Sequence, residues 1–187
     1  MQLRSTMIGI VLLGLCLTAG PAEPQEKKDD YAAPGAVHQQ LAKRAGEYTT
    51  TSKFSFKPGM PPTESAGTAK LTSILGGRFL KEESTGTMMG QAYSSLHLEG
   101  YNSATNKFEA TWAYTGSTSL MSLVGTSKDG GKTIEYVATF DSGKEAKQAL
   151  QVTTRVLDDD HFVTELVAKN ADGSKGPTLE TAYTRKK

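Results

Sequence analysis

The sequence predicts an all-β protein whose sheet closes into an antiparallel barrel of about ten strands. Three observations lead there. From Gly46 to the C-terminus, short segments alternate in polarity, and each ends at a Gly, Asn or Asp turn signal. The links between them are short, and a meander of that length loses its exposed edges by closing on itself. Several segments also carry bulky groups on both faces: Phe162 and Leu166 oppose Val163 and Val167, whereas an open sheet would keep one face polar. A two-sheet sandwich is the architectural rival.

The 187 residues suffice for one domain with a sizeable core, residues 34–187, and no repeat or low-complexity tract divides it. The start is unlike the rest. Arg4 precedes the apolar run Met7–Leu15, and small residues follow, the order of a secretory signal peptide over residues 1–22. The run is too short to span a bilayer, so no transmembrane span is expected once the signal is removed. Gly20 and Ala22 supply small residues three and one before a cut after Ala22. That cut removes Arg4 and no acid, leaving 20 basic residues against 20 acidic ones. A chain so balanced has no field to draw nucleic acid or an anionic membrane. The expected location is the periplasm or the exterior. Cys16, the only cysteine, lies inside the signal; Leu13-Gly14-Leu15-Cys16 resembles a lipobox, but Leu15 stands where a small residue is wanted. The mature domain therefore has neither disulfide nor thiol chemistry, and packing must stabilise it.

Residues 23–33 are charged and aperiodic and read as a flexible leader. Pro34 opens a short helix in which Val37, Leu41 and Ala45 form one apolar stripe; His38, Gln39, Gln40, Lys43 and Arg44 fill the other faces, and Gly46 suits a C-cap. So short a helix needs a surface to pack on. The strands follow: Glu47–Phe56, with Tyr48, Phe54 and Phe56 on one face; a Pro-rich loop to Pro62; Ala66–Ile74, ending at Gly76-Gly77; and Arg78–Thr85, with Arg78, Leu80 and Glu82 on one side. Gln91–Tyr101 precedes Lys107–Thr115, where Phe108, Ala110, Trp112 and Tyr114 face one way. Leu120–Ser127 and Thr133–Phe140 flank the Asp129-Gly130-Gly131 hairpin turn. Ala146–Leu157 and His161–Lys169 join through Asp158-Asp159-Asp160, and Thr178–Thr184 closes the series.

Gly76-Gly77-Arg78-Phe79-Leu80, Met88-Met89-Gly90, Gly100-Tyr101-Asn102 and Thr111-Trp112 come in an order and spacing that resembles a bacterial family, domain of unknown function 1579. Ala45-Gly46-Glu47-Tyr48, Asp158-Asp159-Asp160 and Tyr183-Thr184-Arg185-Lys186 fit the same pattern. The resemblance covers about residues 35–187. It implies a calycin barrel, lipocalin-like or fatty-acid-binding-protein-like, with the N-terminal helix over one end, and it implies no established activity. Barrels of that kind usually carry Gly-x-Trp on the first strand; this chain has Gly46-Glu47-Tyr48.

The candidate ligand-binding residues are Arg78, Tyr48, Trp112, Tyr114, Met89 and Tyr136. An inward Arg78 would hold a carboxylate in bidentate fashion or pair with an acid on a neighbouring strand. The aromatic set, with Phe108 and Phe54, either lines a pocket or fills the core. Met88 and Met89, beside Gly90, suit a flexible lip. His38, His97 and His161 are too scattered for a zinc signature, and Asp158-Asp159-Asp160 lacks the alternation of a calcium loop. No nucleophile elbow, phosphate loop or dinucleotide fingerprint occurs. No catalytic residue, metal or cofactor is therefore assigned. The expected function is that of an exported barrel holding a small apolar or carboxylate-bearing molecule in its interior. The alternatives are an enzyme using Arg78, Glu82, Tyr114 or His97, and a structural envelope protein with a filled centre.

Overall fold

The computed structural model describes residues 33–57, 59–140, 148–170 and 172–187. The expected signal, residues 1–22, and the leader apart from Ala33 lie outside the described residues. One helix and ten strands follow in order: α1 (Ala36–Ala42), β1 (Gly46–Ser55), β2 (Thr63–Ile74), β3 (Phe79–Met88), β4 (Gln91–Asn102), β5 (Lys107–Tyr114), β6 (Met121–Thr126), β7 (Thr133–Phe140), β8 (Gln148–Val156), β9 (His161–Lys169) and β10 (Lys175–Arg185). Each strand pairs antiparallel with the next, and β10 returns to pair with β1. The sheet is thus a closed up-and-down barrel, and the sandwich alternative falls. No described helix is long and apolar enough to cross a membrane.

The period of two decides which side chains enter the barrel. On β5, Phe108 and Ala110 are buried between exposed Lys107, Glu109 and Thr111. On β6, Met121, Leu123 and Gly125 are buried between exposed Ser122, Val124 and Thr126. Ile134, Tyr136 and Ala138 do the same on β7. Burial of a side chain such as Ile134, at 0% exposure, contributes roughly 1.5–3 kcal/mol.

The helix covers the barrel end where β1 begins and β10 finishes. Leu41 is part of the core with Phe108, Ile134 and Tyr136, and Val37 packs against it; Ala45, just past the helix, packs on Tyr48, Leu80 and Phe162. The predicted stripe is therefore what docks. Two expectations about this segment are corrected. Gly46 does not cap the helix. α1 ends at Ala42, and its exit is tightened by the Arg44 N–H donating to Leu41 C=O (3.1 Å) and the Ala45 N–H to Ala42 C=O (3.0 Å). Gly46 instead opens β1, where a β-carbon would strike the Arg185 guanidinium. Nor do His38 and Arg44 lie on polar outer faces; each is 6% exposed. His38 caps its own helix: Nδ1 accepts from the Gly35 N–H (3.1 Å) and Nε2 donates to Tyr101 C=O (2.9 Å), which selects one tautomer.

Arg185 pins the floor. Its guanidinium donates to Ala45 C=O (2.6 Å), Lys43 C=O (2.9 Å) and Asp159 C=O (2.9 and 3.1 Å), pairs with the Asp160 carboxylate (3.2 Å) and lies 4.9 Å over the Tyr48 ring. Helix exit, β8–β9 turn and both terminal strands are tied at one point. Tyr48, 1% exposed, takes the place of the usual tryptophan, and its hydroxyl donates to Arg44 C=O (2.9 Å). Replacing Arg185 by Ala should cost about 2–3 kcal/mol in urea unfolding, because several charge-assisted bonds are lost together. Arg185→Lys should recover less than half of that, since an ammonium cannot reproduce the planar fork.

Candidate functional site

Inside the barrel is a cavity of about 110 Å³, lined from Arg44 beneath the helix to Met88 at the far end of β3. It is somewhat smaller than the engineered cavity of roughly 150 Å³ known to admit benzene. A groove of about 250 Å³ lies outside, between α1 and the β8–β9 turn. Arg185 and Asp158 on its wall are already engaged, with Asp160 and His161, and the interior, which gathers two carboxylates, is the stronger candidate.

The register shows how the lining is assembled. Glu82 of β3, His97 of β4 and Trp112 of β5 are successive neighbours across three strands, and all three line the cavity. A second row, Thr154, Thr164, Thr181, Ser52 and Ser65, runs round β8, β9, β10, β1 and β2. Its hydroxyls bond in pairs, Thr154 to Thr164 (3.2 Å) and Ser52 to Thr181 (2.9 Å). Leu123, Val152, Leu166 and Leu179 supply the apolar surface between these rows.

Two carboxylates enter this space, and they differ. Glu99, 1% exposed, pairs with Arg44 through one oxygen and accepts the Tyr136 hydroxyl on the other. Burial alone would push its carboxyl up, but the Arg44 guanidinium, with His97 and the Tyr136 bond, holds it below the ordinary glutamate value. Burial likewise opposes the Arg44 charge, and Glu99 more than compensates, so the guanidinium is held firmly protonated. Burial and the neighbouring Glu99 carboxylate drive the Tyr136 hydroxyl far above its usual range. Arg44 Nε has no hydrogen-bond partner among the described residues, and the guanidinium lies 5.3 Å over the Phe162 ring.

Glu82 is the second carboxylate. Its Oε1 accepts from Ser84 Oγ (2.6 Å) and Tyr183 Oη (2.9 Å), while Oε2 receives no bond among the described residues. Burial and the Glu82 charge raise the Tyr183 hydroxyl well above its usual value. Tyr93, chiefly through burial, is pushed up to about 12. Both phenols stay neutral donors at any physiological pH.

Of the residues singled out from sequence, Trp112 and Tyr136 line the cavity. Tyr114 lies behind Trp112, ring centroids 5.4 Å apart, outside the lining. Tyr48 belongs to the floor. Met89 is exposed at the β3–β4 turn with φ 54°, and its neighbour Met88 is the lining residue. Arg78 is exposed and donates to Leu75 C=O (3.1 Å). Although Leu80 does face inward, β3 starts at Phe79, and Arg78 belongs to the preceding turn, so the period-two argument stops one residue short of it. Glu82 and His97, weighed as cavity residues, do line it; Arg44, Glu99, Tyr93 and Tyr183 escaped notice. The signal for Glu99 and His97 was present but inverted: β4 alternates His97 and Glu99 with Leu96 and Leu98, and it is the leucines that are exposed, at 47% and 39%.

Glu99→Leu leaves the Arg44 charge and the Tyr136 hydroxyl unpaired and should cost about 3–5 kcal/mol in urea unfolding, most of it regained in Arg44→Met/Glu99→Leu. Because native Glu99 titrates below an unfolded glutamate, its contribution is complete above the unfolded value and is lost as pH falls through that value to the native one. Thermal melts from neutral to acid pH should show this loss in the wild type and a shallower acid limb in Glu99→Gln.

Comparison with curated proteins gives no match to this sequence. Among solved structures, Rv2717c from M. tuberculosis is similar over 83% of this chain and 100% of its own, at 17% identity and TM-score 0.61. The S-type phycobiliprotein lyase CPES from Guillardia theta is similar over 82% of this chain and 94% of its own, at 10% identity and TM-score 0.55. At such identities both show the shared barrel fold. The profile described as "Protein of unknown function (DUF1579)" matches residues 33–185, the whole of the helix and barrel, and the chain therefore belongs to that family.

Proposed function

We propose that this protein is an exported small-molecule-binding barrel, with the interior cavity as its binding site. One observation carries the reading: the cavity is lined by rows of charged and hydroxyl side chains with apolar residues in adjacent layers, and Glu82 presents an oxygen with no partner among the described residues. Glu82 is half-buried, and its second oxygen is left accessible to whatever occupies the cavity. A barrel built only for support would fill its centre with side chains. One structural neighbour is a phycobiliprotein lyase, in keeping with a small-molecule role for a barrel of this fold.

Acid–base catalysis is the weaker reading. It needs a group brought toward neutrality. The resolved shifts in the cavity go the other way: Tyr93, Tyr136 and Tyr183 rise and Glu99 falls. Export rests on Arg4, the Met7–Leu15 run and the small residues before Glu23.

Native mass spectrometry of protein purified from its own source should find a bound small molecule, released on unfolding, on a chain that begins at Glu23. A chain consistently free of bound mass would contradict the binding reading, and an intact Met1 would contradict export.

A further inference from the structure

Resting on that cavity reading, we infer the class of ligand: a small organic cation, a primary amine whose ammonium docks on Glu82. The charge count is the first argument. Among the described residues Arg44, Glu82 and Glu99 line the cavity and no other Lys, Arg or Asp does, so two carboxylates face one guanidinium. Arg44 already has an anionic partner, because its Nη2 donates to Glu99, and its Nε is buried. A bound carboxylate would share the cavity with Glu82 and Glu99. The expectation of a carboxylate-bearing ligand rested on Arg78, which lies exposed in the turn before β3.

The second argument is preorganisation. Two hydroxyls on Oε1 fix the Glu82 carboxylate and leave Oε2 as the acceptor. An acceptor with no donor partner is matched by a ligand that donates, and a charged donor makes the stronger bond. The third argument is aromatic. Trp112 lies two strands from Glu82 across the register, a separation of about 9–10 Å. An ammonium seated over that row would have the Glu82 carboxylate at one end and the Trp112 indole at the other, with His97 between them. The alkyl remainder has Leu123, Val152 and Leu166 to pack on. The volume limits the ligand to roughly four to six non-hydrogen atoms, judged against the larger cavity that admits benzene.

Three probes of one carbon skeleton test this: n-butylammonium, n-butanol and n-butyrate, titrated into the full chain at about pH 8, where the amine is charged, with binding read from amide NMR shifts. The ammonium should bind ~tenfold or more tighter than the alcohol, and butyrate should not bind. Glu82→Gln keeps an acceptor for Ser84 and Tyr183 while removing the charge; it should reduce ammonium binding to the level of the alcohol and leave alcohol binding unchanged. Equal binding of ammonium and alcohol, or tightest binding of butyrate, would overturn the cation inference and leave the cavity reading standing. Failure of all three probes would overturn both. The wild-type comparison decides the matter even if the variant does not fold.

Discussion

The buried pair between Arg44 and Glu99 is the constraint from which the rest of this architecture follows. Arg44 comes from the exit of a seven-residue helix and Glu99 from the middle of the sheet, so their contact sets the helix on the barrel end. Arg185 performs the matching task from outside, gripping the same exit by its backbone carbonyls. A helix this short has no stability of its own. It is held because one arginine is drawn into the barrel and another clamps the chain from below. Buried ion pairs are weak sources of net stability, but a broken one is expensive, so the pair specifies where the helix sits more than it strengthens the fold.

The same pairing gives the cavity its character. With Arg44 paired to Glu99, the remaining carboxylate makes no ion pair among the described residues. Glu82 is held instead by Ser84 and Tyr183 through one oxygen only. Interiors of small barrels are usually filled by interlocking side chains. Here the middle layers carry Ser, Thr, Glu and His, which are short or need partners, and space remains among them. The packing in the floor (Tyr48, Phe162 and Tyr183, with Phe162 and Tyr183 stacked at 4.0 Å) closes one end firmly while the layers above stay hollow.

Much of this was legible in the residues, and the failures are instructive. Turn signals and alternation located all ten strands and their closure, because both report local backbone geometry. Val37 and Leu41 of the helical stripe dock for the same reason, whereas Ala45 lies past the helix end. The polar interior was harder to see. On β4, hydrophobicity points Leu96 and Leu98 inward, whereas the register set by neighbouring strands points His97 and Glu99 inward. A strand cannot reverse its faces alone once its neighbours are paired, and such local conflicts gather at functional sites. Arg44 was assigned to a polar helix face because its destination is 55 residues away, beyond any local period. Arg78 failed by one residue, on the far side of a strand boundary.

A high-resolution electron-density map of the barrel interior, from protein purified from its own source, tests the central claim most directly. The account predicts an open space bounded by Glu82, Tyr93, His97 and Trp112, with ordered density against the unshared oxygen of Glu82. Side chains meeting across the middle, with Glu82 turned aside to pair with a neighbour, would contradict it.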